Sequence, residues 1–271
     1  MNLRKLKYDI LRFIIREYLN SSDGITIAFK EGLTSGVMMD YIYRNRPSGM
    51  WLIGEFIDRI FLSHPAWKSI RGRKEHLQRM LHKAIARQRK LGRTPVLLDV
   101  ASGTARYLLD AIQEDGRGDV TAFCHDIDER SLEIGRREAA KRGMSSVCYT
   151  CGDALSAECL KDIQPTPNII IASGFYDWIA DEGLVRKSMR LLYDLLPEEG
   201  CFLFTNLLKQ IHLEMAQAVF PGLNKKPLRL IPRPAEMVNS WAEATGFTLI
   251  ETSNDITGCY SSTLVCKPPR A

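Results

Sequence analysis

Four apolar runs in succession, each ending in small or acidic residues, constrain this chain more than any other feature of its 271 residues. Val96-Leu97-Leu98-Asp99-Val100 leads into Ala101-Ser102-Gly103-Thr104-Ala105, and the run from Val120 ends in His125-Asp126-Ile127-Asp128. A third run ends in Cys151-Gly152-Asp153-Ala154, and Asn168-Ile169-Ile170-Ile171-Ala172 ends in Ser173-Gly174. Between them the apolar spacing switches to a helical period. Strand and helix in alternation build an open parallel sheet. Such a sheet gathers the carboxyl ends of its strands on one edge, where ligands bind. The chain therefore reads as α/β.

The same patterning predicts strands over 96–100, 119–125, 146–151, 168–173 and 200–206. A helix over Ala235–Thr245 follows, then two closing strands, 247–253 and 259–266, paired as an antiparallel hairpin. Upstream of a linker at 90–95 the periods are helical, over 2–19, 36–44, 50–62 and 66–91. A turn at Ser21-Ser22-Asp23-Gly24 and a bend at Arg46-Pro47-Ser48-Gly49 break them. Two segments are expected, a helical N-terminal cap over 1–93 and a sheet domain over 94–271.

The small residues after the first strand let the main chain touch a ligand. A helix starting near Thr104 adds unpaired amide donors. One βα unit later, Asp126 ends the second strand where a ribose diol sits in folds of this kind.

This series, over residues 94–267, resembles the class I S-adenosylmethionine (SAM) dependent methyltransferases. The resemblance implies a Rossmann-like sheet of seven mostly parallel strands, the last antiparallel, with SAM as methyl donor or as the substrate itself. It implies that Asp99, Ala101, Ser102, Gly103 and Thr104 belong to the SAM loop and that Asp126, with Ile127, binds the ribose. Asp153 and Ala154 would contact adenine, and Ser173, Gly174, Phe175 and Tyr176 would face the sulfonium. Ala101 and Ala105 stand where that loop usually has glycine, and alanine adopts a positive φ at a cost. Upstream, Asp23-Gly24-Ile25, Gly32 to Gly36, Asp40 to Gly49, Ile57-Asp58-Arg59 and Gly72-Arg73-Lys74 are similar to a bacterial methyltransferase family often fused to hydrolase or acyltransferase domains. Stand-alone relatives resemble enzymes that close SAM's aminobutyrate arm into azetidine-2-carboxylate.

Displacement at a sulfonium carbon needs alignment more than covalent help, and aromatic faces suit the cation. Phe175, Tyr176 and Trp178 follow the fourth strand, and the Tyr176 hydroxyl can also orient a carboxylate or amine. Tyr41, Tyr43, Arg44 and Asn45 form a second candidate group, able to hold a carboxylate or an acceptor, or else to dock the helical cap. Asp177 and Asp181 are candidate bases or helix caps, and His125 is a base or a packed residue. Catalysis is assigned to Tyr176, Phe175, Tyr43 and Asp177, with no metal.

Composition narrows the partners. The formal net charge is +5, and ten basic residues from Lys68 to Arg93 crowd one segment. Leu77, Met80, Leu81 and Ile85 recur there at helical spacing, so the charges read as the solvated face of an amphipathic helix; nucleic acid is not the expected partner. Charges interrupt the apolar residues of 3–19 at every turn, which fits a packed helix and no membrane span. Seven cysteines and no signal-peptide pattern suggest reduced thiols in a cytoplasm. The expected partner is a small-molecule substrate, and a homo-oligomer through the N-terminal helices is left open. Methyl transfer to a small molecule, yielding S-adenosylhomocysteine, leads. The alternatives are cyclisation of SAM itself, releasing methylthioadenosine as in secondary metabolism, and a non-catalytic SAM- or RNA-binding module.

Overall fold

A computed structural model of the chain describes residues 3–270. In chain order its helices are α1 (Leu3–Tyr18), α2 (Asp23–Glu31), α3 (Gly36–Arg44), α4 (Trp51–Leu62), α5 (Pro65–Lys90), α6 (Arg106–Asp115), α7 (Glu129–Lys141), α8 (Ala157–Leu160), α9 (Glu182–Leu195), α10 (Leu213–Val219) and α11 (Ala235–Thr245). Its strands are β1 (Val96–Val100), β2 (Thr121–Asp126), β3 (Val147–Cys151), β4 (Ile169–Ala172), β5 (Cys201–Leu207), β6 (Thr248–Asn254) and β7 (Tyr260–Cys266). The bounds of β1, α3 and α11 are those the periodicity predicts, and the expected start of α1 at residue 2 lies outside the described residues.

The turn expected at Ser21–Gly24 instead opens a helix. Ser22 caps α2, its hydroxyl accepting from the Ile25 amide. Glycine and β-branched residues give Asp23–Glu31 little intrinsic helicity, so tertiary packing makes α2 and no local period announces it. Ser35, Asp128 and Asp181 cap α3, α7 and α9 in the same way. Asp181 is thus a cap, its carboxylate accepting from the Gly183 and Leu184 amides.

The seven strands form one sheet in the order β3-β2-β1-β4-β5-β7-β6. The first five are parallel; β7 runs antiparallel between β5 and β6. This is the Rossmann-like methyltransferase sheet that the resemblance implies. Every residue of β1, β4, β5 and β7 is buried. On one face Phe175, Tyr176, Phe202, Phe204, Trp241 and Phe247 pack with α9 and α11 into a single apolar core. The chain steps outward from β1 to β3 and returns to β4 on the other side of β1, so the direction of winding reverses between β1 and β4. Ligand crevices of open α/β sheets lie at that reversal.

Two compact units emerge. One holds the chain up to Arg71 together with Gln210–Leu230, and the other holds Gly72–Lys209 with the chain from Ile231 onward. The boundary falls inside α5, upstream of the division at residue 93 read from the sequence, because the distal part of α5 packs with the sheet. Five of its basic residues are paired there: Lys74 to Asp110 at 2.5 Å, Arg79 and Lys83 to Glu251, Arg87 to Glu199, and Arg89 to Asp115 and Asp119. No helix among the described residues is long and apolar enough to cross a membrane.

Candidate active site

The turn joining β1 to α6 is built on three left-handed residues. Ala101, Gly103 and Ala105 have φ of 53°, 56° and 54°. An alanine in this region costs about 1 kcal/mol relative to its ordinary conformation, so the two alanines hold a glycine-like turn against their own preference. Contacts to the end of β2 stabilise it. The Ser102 amide donates to the His125 carbonyl at 3.1 Å, and the Gly103 amide donates to Asp126 Oδ2 at 2.7 Å. Thr104 is buried at the start of α6.

Asp126 is the pivot of this edge. Besides Gly103, it accepts the Asp128 amide on Oδ1 at 2.8 Å. Burial raises its pKa, and the amides of Asp128 and Gly103 oppose that shift. A carboxylate offers about four lone-pair positions; the Gly103 and Asp128 amides hold it rigid, the Ile127 amide also bears on it, and acceptor capacity is left. Ile127, next in the chain, is 63% exposed. Across β3, Asp153 is exposed and accepts the Leu155 amide at 2.9 Å, while Ala154 is buried.

The remaining acids and the histidine lie deeper. The Asp99 side chain is fully enclosed, and burial pushes it up to about 8 against the opposing Tyr107 hydroxyl. It is a protonated group of the interior at neutral pH, so only the backbone of Asp99 belongs to the loop edge. His125 is 2% exposed, and burial lowers its pKa. A Cβ added at Gly152 would meet the His125 ring at 2.5 Å, so the ring fills the space that this glycine leaves. His125 is a packed residue.

At the end of β4 the Ser173 hydroxyl is buried without a hydrogen-bond partner, and Gly174, at φ 69°, donates its amide to Thr205 Oγ1 at 2.7 Å. The sequence placed Phe175 and Tyr176 before a reacting centre; the structure packs both into the core under α9. Tyr176 is 1% exposed, its ring lies edge-on to Phe204, and its hydroxyl is 3.4 Å from Ser188 Oγ. Desolvation raises its pKa, and both rings are buried. Trp178 is half-exposed.

Asp177 is likewise no solvent-facing base. It accepts the Leu207 amide at 2.9 Å and lies 3.6 Å from the Arg73 guanidinium; burial pushes it up to about 6, with Arg73 and then the Leu207 amide opposing. Arg73 also stacks 4.6 Å over the Tyr260 ring, and a Cβ at Gly174 would stand 2.9 Å from its Nη1. Arg233 donates to the Tyr176 and Ile179 carbonyls. Arg73 and Arg233 thus fix the segment 173–179, and sequence reasoning missed both as site residues. Arg73 was hidden within a basic run read as solvated. Its only signal was the Gly72-Arg73-Lys74 string.

The second candidate group belongs to the other unit. The Tyr41 hydroxyl donates to Asp58 Oδ2 at 2.5 Å, which raises its pKa after burial has done so. Asp58, itself fully buried, also accepts from the Ser22 hydroxyl at 2.7 Å, the Gly24 amide at 2.8 Å and the Ser48 amide at 3.0 Å. Arg44 pairs with Asp40 at 3.0 Å and Asn45 is the left-handed C-cap of α3. Tyr43 is half-buried on α3. Tyr41 is therefore a tie between α3 and α4, and Arg44 and Asn45 finish the helix.

Comparisons with known proteins accord with this geometry. A family model described as "Putative methyltransferase" matches residues 1–267. The "Uncharacterized protein YnbC" of Escherichia coli strain K12 is 29% identical over 265 residues, covering 97% of this chain. The chain spans 45% of the length of that relative. A possible exported protein of Bordetella parapertussis superposes with a TM-score of 0.68 at 18% identity, over 86% of this chain and 79% of the other. Magnesium protoporphyrin IX methyltransferase from Synechocystis PCC 6803, solved with bound S-adenosylhomocysteine, superposes at 0.59 and 13% identity, over 94% of this chain and 99% of that one. At these identities the solved structures speak for the fold.

Proposed function

The chain belongs to the family described as "Putative methyltransferase", and from that premise we propose that its sheet unit binds S-adenosylmethionine and transfers the methyl group to a small molecule. The observation that carries this reading is Asp126, a part-buried carboxylate held by backbone amides at the winding reversal with acceptor capacity left over. A vicinal ribose diol supplies two hydroxyl donors, so the residues present fit the nucleoside. The unpartnered Ser173 hydroxyl at the adjoining strand end fits a polar ligand in the same way.

When bound, SAM supplies a methyl carbon on a sulfonium, open to in-line displacement. The chain's own groups bind and orient. Asp126 would take the sugar hydroxyls, with Ile127 beside it. Backbone of Asp99, Ala101, Ser102, Gly103 and Thr104 would line the approach of the nucleoside. Asp153 and Ala154 would flank the base, and Ser173 with Gly174 would line the arm. Arg73 and Asp177 act as positioning residues that set the turn after β4. Arg73, Lys74, Arg79, Lys83, Arg87 and Arg89 of α5 pair with carboxylates of the sheet unit, which weighs against an RNA-binding module. None of the seven cysteines forms a disulfide, and the Sγ atoms of Cys201 and Cys266 lie 2.9 Å apart on the paired strands β5 and β7.

Incubating the protein with SAM, alone and with pooled small-molecule acceptors, tests the proposal by mass spectrometry of the nucleoside product. Acceptor-dependent S-adenosylhomocysteine is the expected result. Methylthioadenosine formed from SAM alone would replace methyl transfer by intramolecular cyclisation to azetidine-2-carboxylate, and no binding of either nucleoside would remove the site altogether.

A further inference from the structure

Two cysteines meet at the amino end of the parallel strands, opposite the edge where Asp126 lies. Cys201 opens β5, Cys266 closes β7, and the antiparallel register sets them directly across from each other. The Cys201 amide donates to the Asn168 carbonyl at 2.9 Å, so the backbone groups of Cys201 face β4. The cysteine pair is therefore of the non-hydrogen-bonded kind, where opposite residues come nearest. Cα atoms at such a position are about 4.5 Å apart, inside the span of roughly 4.4–6.8 Å that a disulfide bridges. The side chains follow: the two Sγ atoms lie 2.9 Å apart, which leaves about 1 Å of closure to a covalent bond.

The surroundings make the two sulfurs unequal. Gln88 of α5 donates Nε2 to the Cys201 sulfur at 3.7 Å, and Arg87, its neighbour in the chain, pairs with Glu199 at 3.3 Å. The hydrogen bond with the Cys266 thiol, then Gln88 and Arg87, lower the Cys201 pKa against burial. The same bond, and then burial, raise that of Cys266. Cys201 is thus the thiolate partner, the form that attacks an oxidant, and Cys266 stays a thiol beside it. Both are buried, at 0% and 3% exposure. Cys266 is the last residue of β7 and the chain from Pro268 onward is exposed, so local opening of this strand end admits a small oxidant.

We propose that Cys201 and Cys266 are a dithiol that a hydroperoxide closes to a disulfide, fastening β7 and with it the closing hairpin to β5. The Cys201 thiolate attacks one peroxide oxygen; the O–O bond breaks, hydroxide leaves and takes up the Cys201 proton, and Cys201 becomes a sulfenic acid. The Cys266 sulfur then attacks the Cys201 sulfur. The S–S bond forms, the S–O bond breaks, and the hydroxyl leaves as water with the Cys266 proton. Two thiols lose two electrons and two protons, and hydrogen peroxide becomes two waters. This goes beyond methyl transfer and does not depend on it.

Hydrogen peroxide added to the folded, reduced chain, followed by alkylation in denaturant and mass spectrometry, tests the proposal. Chymotryptic cleavage at Tyr260 separates Cys259 from Cys266. A crosslinked pair of fragments holding Cys201 and Cys266, about 2 Da lighter than the two thiol fragments together, is expected, and dithiothreitol should release it. The crosslink joins positions 65 residues apart. Oxidation should therefore raise the melting temperature by about 5–10 °C, and Cys266→Ala should lack that rise. Cys201 and Cys266 both still alkylated at a peroxide dose that oxidises the exposed Cys148, Cys151 and Cys159 would overturn the assignment. So would a crosslink of either one to a different cysteine, or an equal melting shift in Cys266→Ala.

Discussion

Asp58 in the helical unit and Asp126 in the sheet unit are both carboxylates drawn out of water, yet their surroundings differ in one respect. Asp58 accepts four donors, from Ser22, Gly24, Tyr41 and Ser48, and its acceptor capacity is filled. Asp126 accepts from the backbone of Gly103 and Asp128 and keeps acceptor capacity. A saturated buried acid is a structural tie; one with acceptor capacity left at a sheet edge is what the proposed reading needs for the ribose hydroxyls. The contrast also explains the upstream strings Asp23-Gly24, Tyr41, Ser48-Gly49 and Ile57-Asp58, which lie far apart in sequence and meet at one carboxylate.

Substitution at each acid separates the two roles. Asp58→Ala leaves four buried donors without an acceptor and should cost the most, about 4 kcal/mol or more of stability in denaturant unfolding. Affinity for S-adenosylhomocysteine per folded molecule should be unchanged. A loss of affinity without a loss of stability would reverse the assignment of Asp58.

Asp99 is a third case, an acid kept protonated. Its pKa rises from 3.8 to about 8 on folding, so between about pH 4 and 8 the folded chain holds a proton that the unfolded chain has released. Stability therefore falls as pH rises across that window. Asp99→Asn should match the parent below pH 4 and exceed it by about 4 kcal/mol at pH 7, flattening the profile. Parallel pH profiles would show that the carboxyl ionises in place.

Asp126→Ala should weaken S-adenosylhomocysteine about 100-fold in calorimetry while the melting temperature drops only slightly, the reverse of Asp58→Ala. Ala101→Gly and Ala105→Gly relieve left-handed alanines and should each raise stability by about 0.5–1 kcal/mol, read from thermal melts. Tyr176→Phe removes a hydroxyl 3.4 Å from Ser188 and should leave turnover unchanged. A fall in kcat would return Tyr176 to the reacting centre.

The parallel core of the sheet was legible because β1 to β4 each carry their own signal: a short apolar run closed by small or acidic residues needs no knowledge of what it pairs with. The direction of the chain after β4 had no such signal. Phe175-Tyr176-Asp177-Trp178 reads as a row of candidates, but Arg233 and Arg73, from distant segments, turn Tyr176 and Asp177 inward. The same limit hid α2, whose residues are poor helix formers held by Asp58 through Gly24. The position of Asp126 was readable because the end of a strand, and not a rotamer, places it at the sheet edge.

The placement of β7 between β5 and β6 has a consequence for synthesis on the ribosome. Translation delivers β6 first, yet β6 has no partner until the segment Tyr260–Cys266 follows it. Until then the edge of β5, every residue of which ends up buried, stays open to any other strand. A nascent or truncated chain ending before Tyr260 would thus carry an unpaired, apolar template for aggregation, and chaperone demand should peak at that chain length.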